Sequence, residues 1–304
     1  MAQFNPGLVH TPVTPFKRDQ GIDYETYGKI LEFHLRNGAD ALALPMPEGE
    51  DMSLTDMEQR GLLEFALKAV KGRVPVIAHV SDAGTAIAVG RARHAEKAGA
   101  AAIVSHPPYF WHPKPAMIVE HLTQIGSAVG LPFYACNPVV ESPGTHLTTE
   151  TTLQLIERLP NYCGLVDASM DWVYMIEAVS NGERLRPGFQ LVAGADFMVS
   201  ATVIGGRGAF SPLSGVAPRL ARELYDLCAK GEYVQARTPQ EHVGALHHLV
   251  KPHGLAGLKA AMHAMGRDCG SPRPPARSLH ESEYGSLVEA LTALPFLRDE
   301  PRGW

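Results

Sequence analysis

A set of residues in this 304-residue chain combines acid–base or ligating chemistry with a position just after a short apolar run: Glu48, Glu50, His79, His106, Tyr109, Cys136, Asn137, Asp167 and Asp196. Gathered at one place, such groups can pass protons to and from a reacting molecule. Tyr109, Tyr134 or His79 would polarise a carbonyl or hydroxyl, and Glu50 or Asp167 would move the proton. His79, His106, Cys136 and Asp167 are also zinc-type ligands, but they come from separate segments with no ligand spacing, so no metal is expected. Cys136 as a nucleophile would need a base within hydrogen-bond reach; a buried thiol is the commoner state of a free cysteine. For Glu50 and Asp167 the competing reading is structural, hydrogen bonds to loop N–H groups. It carries more weight, because buried carboxylates are usually paired.

The elements that must position these groups follow from periodicity. Asn161–Asp171 reads as a strand over Tyr162–Asp167 that ends in small polar residues opening a helix. Before it, strands are expected at Leu8–Phe16 with its exit loop, Ala39–Leu44, Val74–His79, Ala100–Ser105 and Leu131–Cys136. After it they are expected at Phe189–Ala193 and Gly208–Phe210. Helix-period segments lie between them, including one with a Thr55/Glu58 capping box and an inner face of Leu62, Phe65, Ala66, Ala69 and Val70. Short apolar strands alternating with helices imply parallel pairing and right-handed crossovers. The repeat predicts an α/β fold, a (β/α)8 TIM barrel over residues 1–230, with the candidate groups at the strand C-termini. Residues 231–304 read as a C-terminal helical segment packed on the barrel in one structural domain, with helices near 232–249, 255–266 and 279–293. Ser271–Pro275 reads as a linker between helices. Ile204–Gly208 precedes the last strand and reads as a tight turn, not a phosphate loop.

Composition narrows the partners. Apolar residues at 45% and charged residues at 19% provide for a large core. A net charge of −5 gives no electrostatic reason to bind nucleic acid or an anionic membrane. No apolar run has the length of a membrane span, and the N-terminus lacks a signal pattern. Cys136, Cys163, Cys228 and Cys269 form no Cys-x-x-Cys pair and suit a reducing cytoplasm.

Read together, Thr14-Pro15-Phe16 with Gly21-Ile22-Asp23, Gly49-Glu50 with Ser53-Leu54, Pro108-Tyr109-Phe110, Asn137-Pro138 and Gly194-Ala195-Asp196 resemble the dihydrodipicolinate synthase and N-acetylneuraminate lyase family of class I aldolase barrels. The resemblance spans nearly the whole chain. It implies a lysine on strand six that forms a Schiff base with a 2-oxo acid such as pyruvate, the imine acting as electron sink. It also implies a homotetramer or homodimer. The family's Gly-x-Lys-Glu/Asp motif falls on Gly164-Leu165-Val166-Asp167, so Val166 takes the lysine position, and a branched hydrocarbon cannot form an imine. The family's proton-relay tyrosine of strand five falls on Cys136. Tyr134 has the same strand parity, one layer deeper. The Thr-Thr pair that holds the substrate carboxylate falls on Pro47-Glu48, where proline has no N–H and Glu48 repels a carboxylate. The loop Val139–Pro143 has no arginine where many members place one, and the strand-four aromatic pair ends in Phe110, without a hydroxyl. Lys17 and Lys114 lie in loops and are weak replacements for the missing amine.

Two functions remain. One is a lyase-like enzyme, not a true dihydrodipicolinate synthase, that acts on a small carbonyl or hydroxy acid metabolite without cofactor and without the imine. The other is a catalytically silent barrel that binds a small molecule or a protein partner.

Overall fold

Strands of four to six residues, buried along almost their whole length, can only be satisfied in a parallel sheet covered on both faces. A computed structural model describes residues 4–139 and 146–304. Its strands are β1 (Gly7–His10), β2 (Ala41–Leu44), β3 (Val76–His79), β4 (Ala102–Ser105), β5 (Phe133–Asn137), β6 (Tyr162–Asp167), β7 (Gln190–Ala193) and β8 (Gly208–Ser211). They close into a barrel in sequence order, and the registered pairs are parallel. This is the expected (β/α)8 architecture.

The helices are α1 (Tyr24–Arg36), α2 (Asp56–Val70), α3 (Thr85–Ala98), α4 (Pro115–Ser127), α5 (Thr149–Arg158), α6 (Trp172–Leu185), α7 (Met198–Thr202), α8 (Pro218–Ala229), α9 (Tyr233–Val250), α10 (Gly254–Ala264) and α11 (Glu281–Thr292). Their starts are set by caps. Asp23 accepts from the Thr26 amide, and Thr55 and Glu58 make the expected reciprocal capping box. The α2 face differs in detail: Gln59 and Leu63 are buried, whereas Phe65 and Ala69 are half-buried. Helix α7 is only five residues long. Gly205 N donates to Thr202 O and Gly206 N to Ala201 O. A Cβ on Gly206 would stand 2.7 Å from that same Ala201 oxygen, so glycine is what lets the turn end the helix.

The chain forms two compact units. One comprises the residues through Gly7 with Pro75–Phe210, and holds β3–β8 with α3–α7. The other comprises Leu8–Val74 with Ser211–Trp304, so the C-terminal helices α9–α11 belong with β2, α1, α2 and α8. A residue the sequence did not single out, Arg267, is fully buried in this second unit. Its guanidinium lies 4.3 Å from the Phe33 ring centroid and donates to the carbonyls of Gly215, Val216, Pro301 and Gly303. Glu300 accepts from the Arg219 and Leu220 amides at the start of α8. These bonds satisfy helix-end and loop groups that would otherwise be orphaned.

The same unit buries two imidazoles whose Nδ1 atoms lie 3.0 Å apart, His10 on β1 and His34 on α1. Burial, then the Arg267 charge, pulls His34 down to about 3; burial and the neighbouring His34 and Arg222 lower His10. The native rings are therefore neutral, while the unfolded ones titrate near 6.5. A lowered pKa contributes stability in full above the unfolded value and loses it as pH falls toward the folded one. By about pH 5, His34 alone removes on the order of 2 kcal/mol. Urea unfolding from about pH 7.5 to about pH 5 should show this loss, and His34→Gln should reduce it, leaving the share of His10. A profile already flat in the natural sequence would contradict the assignment.

Candidate active site

Strand alternation sets Tyr134 and Cys136 of β5, Gly164 and Val166 of β6, and Gln190 and Val192 of β7 on one face. A Cβ on Gly164 would stand 2.6 Å from Gln190 O and 2.9 Å from the Tyr134 ring, so this layer closes only over glycine. The Tyr134 hydroxyl lies 2.9 Å from Gln190 Oε1 and 3.2 Å from Phe4 O, and Gln190 Nε2 donates to Phe4 O. Phe4 precedes β1, so Tyr134 stands toward the N-terminal ends of the strands, away from His79 and His106, with its hydroxyl already engaged. One layer further, Cys136, Val166 and Val192 are in register and buried, Val166 completely.

The opposite face of the same strand ends holds Asn137 and Asp167. Asp167 Oδ1 accepts from Asn137 Nδ2 at 2.8 Å and from Ser169 Oγ at 2.9 Å, and Asn137 Oδ1 accepts from the Leu147 amide. Burial raises the Asp167 pKa above the usual carboxylate range, and these donors offset part of the rise. The arrangement ties β5 to β6 and to the start of the following segment, which is the structural role weighed against catalysis.

At the C-terminal ends of β3 and β4 the geometry is different. His79 Nε2 lies 3.0 Å from His106 Nδ1 and 2.6 Å from Ser81 Oγ, and the His106 amide donates to Ser81 Oγ at 2.7 Å. His79 Nε2 has one site, a lone pair or a hydrogen, for two neighbours. The proton positions of the two rings and the hydroxyl are therefore set jointly, and moving one proton reorders the others. Unlike Asp167, this cluster can relay a proton, one member accepting it while a neighbour in the hydrogen-bonded chain gives one up. Sequence reading named both histidines but missed Ser81, whose spacing of two from His79 on an extended segment was the available signal.

In the second unit, Glu50 is buried in a left-handed conformation (φ 60°) after β2. Its Oε1 lies 2.5 Å from Lys259 Nζ on α10, and its Oε2 accepts from the Arg273 amide at 2.8 Å. Both oxygens are committed, so Glu50 fastens its loop to the C-terminal segment. Lys259 was missed; a single lysine in the apolar stretch Gly254–Ala264 was the signal. Pro47 is exposed and Glu48 half-buried on the short turn Pro47–Gly49. Among the remaining candidates, Asp196 is buried after β7, Tyr109 is half-buried and Phe110 is 89% exposed. Lys17 and Lys114 are exposed away from strand ends. Val140–Pro143 of the loop after Asn137 lie outside the described residues. Among the described residues no group of three or more His, Cys, Asp or Glu could hold a metal ion, and no helix is long and apolar enough to cross a membrane.

A parallel eight-stranded barrel with polar groups at its strand C-termini defines the β/α-barrel enzyme class. Within it the chain belongs to the dihydrodipicolinate synthetase family, whose sequence model matches residues 5–294. It is 31% identical over 287 residues to a 4-hydroxy-tetrahydrodipicolinate synthase of an Azoarcus species, covering 94% of this chain and 97% of that one. It is 32% identical over 287 residues to the enzyme of that name from Roseobacter denitrificans, covering 93% and 96%. The crystal structure of a putative dihydrodipicolinate synthetase from Pseudomonas aeruginosa superposes with a TM-score of 0.89 at 28% identity, covering 97% of this chain and all of that one. The family is one of lyases and synthases.

Proposed function

We propose that this protein is a lyase-like enzyme acting on a small carbonyl or hydroxy acid metabolite without a lysine imine, and that it is not a dihydrodipicolinate synthase. The observation that carries the reading is Val166, fully buried in the layer it shares with Cys136 and Val192. Aligned on Gly164-Leu165-Val166-Asp167, it stands where family members place the Schiff-base lysine, and neither of its in-register neighbours, Cys136 and Val192, carries an amine. The acid–base work is assigned to the His79–Ser81–His106 cluster, with Tyr109 as a polarising phenol. Asp167, Glu50 and Tyr134 are already committed to structural bonds. The cluster would take the proton from a substrate hydroxyl, or from carbon beside a carbonyl, and return it to the product. The locked carboxylates favour the second reading, a silent barrel that binds a small molecule or a protein partner. A cytoplasmic homotetramer or homodimer is proposed with either reading.

One experiment with two readouts separates these. Pyruvate with borohydride should leave the intact mass unchanged; a reduced pyruvyl adduct on any lysine would overturn the imine-free assignment. A panel of small 2-oxo and hydroxy acids in D2O should show deuterium entering one of them, slowed by about two to four orders of magnitude in His79→Gln. No exchange with any of them would favour the silent barrel.

A further inference from the structure

The segment that leaves β3 carries the Ser81 hydroxyl in between two rings. Ser81 is 1% exposed and lies two residues past His79, the last residue of the strand. A serine hydroxyl has one hydrogen and two lone pairs. The His106 amide donates to Ser81 Oγ at 2.7 Å, and what is left of the hydroxyl faces His79 Nε2 at 2.6 Å and His106 Nδ1 at 3.4 Å. A shift of Oγ by about 1 Å away from His79 would stretch the shorter ring contact past a hydrogen bond. The placement of this one loop residue therefore decides whether the cluster forms a connected chain.

Arg91 on α3 supplies that placement. Helical side chains lean toward the N-terminus of their own helix, so Arg91, in the second turn, reaches back to the segment before Thr85. Its Nη1 donates to Ser81 O at 2.5 Å, and its Nη2 lies 3.1 Å from Asp82 Oδ2. Asp82 Oδ1 accepts from the Gly84 amide at 2.8 Å, which closes the turn into α3. On the strand side, Val80 N donates to Val104 O of β4 at 2.9 Å. Ser81 is thus held through the residue before it and through its own carbonyl. The Arg91 and Asp82 side chains are only 11% and 18% exposed, so water and salt screen the pair little. A planar guanidinium spanning a carbonyl and a carboxylate fixes direction as well as distance.

We propose that Arg91 is a positioning residue of the His79–Ser81–His106 cluster: by clamping the Ser81 carbonyl to the Asp82 carboxylate it sets the Ser81 hydroxyl against the two rings. Its consequence for turnover rests on the acid–base role proposed above for the cluster, whereas its consequence for the rings does not.

The test reads the imidazole nitrogens by NMR in the full-length protein carrying isotope-labelled histidine. The chain has 14 histidines, so the two rings are assigned with His79→Gln and His106→Gln. Arg91→Ala should move the His79 Nε2 and His106 Nδ1 resonances in the direction in which Ser81→Ala moves them, while those of the buried pair His10 and His34 stay in place. Millimolar guanidinium, occupying the space of the deleted group, should return them. Resonances unmoved in Arg91→Ala, moved together with those of His10 and His34, or left displaced by guanidinium would each overturn the proposal, the last two marking general damage in place of lost positioning. Deuterium entry into the responsive acid should slow by about a hundredfold in Arg91→Ala with KM little changed, and an unslowed exchange would overturn the proposal as well. Ring shifts as expected in a protein that exchanges deuterium with no acid would uphold the positioning and overturn the acid–base reading alone.

Discussion

Val166→Lys will not make this protein a pyruvate aldolase. The substitution returns an amine to β6, and amine attack on a carbonyl needs little else, so borohydride trapping of pyruvate on Lys is compatible with the expected result. Turnover is not. In register beside Val166 stands Cys136, where the family's relay tyrosine falls. The one tyrosine of matching parity, Tyr134, has its hydroxyl on Gln190 and Phe4. Removing a positioned proton-transfer group costs roughly two to four orders of magnitude. The positions at which the family holds the substrate carboxylate read Pro47 and Glu48, one without an N–H and the other carrying like charge. Aldol turnover of the variant should therefore be undetectable against a typical enzyme rate of about 10 s⁻¹. Turnover within about tenfold of that median would mean that the family's machinery survives around the missing lysine.

Lys259→Met should destabilise the protein by about 3–5 kcal/mol, as expected when one partner of a buried ion pair is removed and the other charge is left behind. Glu50 is 4% exposed and Lys259 3% exposed, so solvent cannot take over for either. Glu50→Gln should cost less, since the amide keeps an acceptor for the Arg273 amide while losing the charge opposite Lys259. The double variant Glu50→Gln/Lys259→Met should recover part of the loss, because no uncompensated charge remains buried. Chemical denaturation of the four proteins gives the cycle. If Lys259→Met cost under about 1 kcal/mol, the pair would behave like an exposed one and the loop after β2 would need another anchor.

The sequence by itself determined the barrel. Alternation of short, doubly apolar strands with amphipathic helices leaves few other ways to bury both sheet faces. One helix start was legible, where Thr55 and Glu58 cap their own chain. That is a local interaction, and so was the Gly205–Gly206 turn. The sequence also placed the candidate groups after strands, and through the family motif it singled out Val166.

What only the tertiary structure decided is which of those groups remain able to do chemistry. Glu50 is held by Lys259 and Arg273, more than two hundred positions along the chain. Asp167 is held by Asn137 across a strand pair, and Tyr134 is tied to Phe4. His79 and His106, 27 positions apart, meet within hydrogen-bond distance around Ser81. A carboxylate's partner and a ring's neighbour depend on which segments the barrel brings side by side, and periodicity carries no record of that. Burial of a charge is decided in the same way. Nothing local to Arg267 separates it from a surface cation, and Lys259 is marked only by the apolar stretch around it; both are buried because carbonyls and a carboxylate from distant segments converge on them.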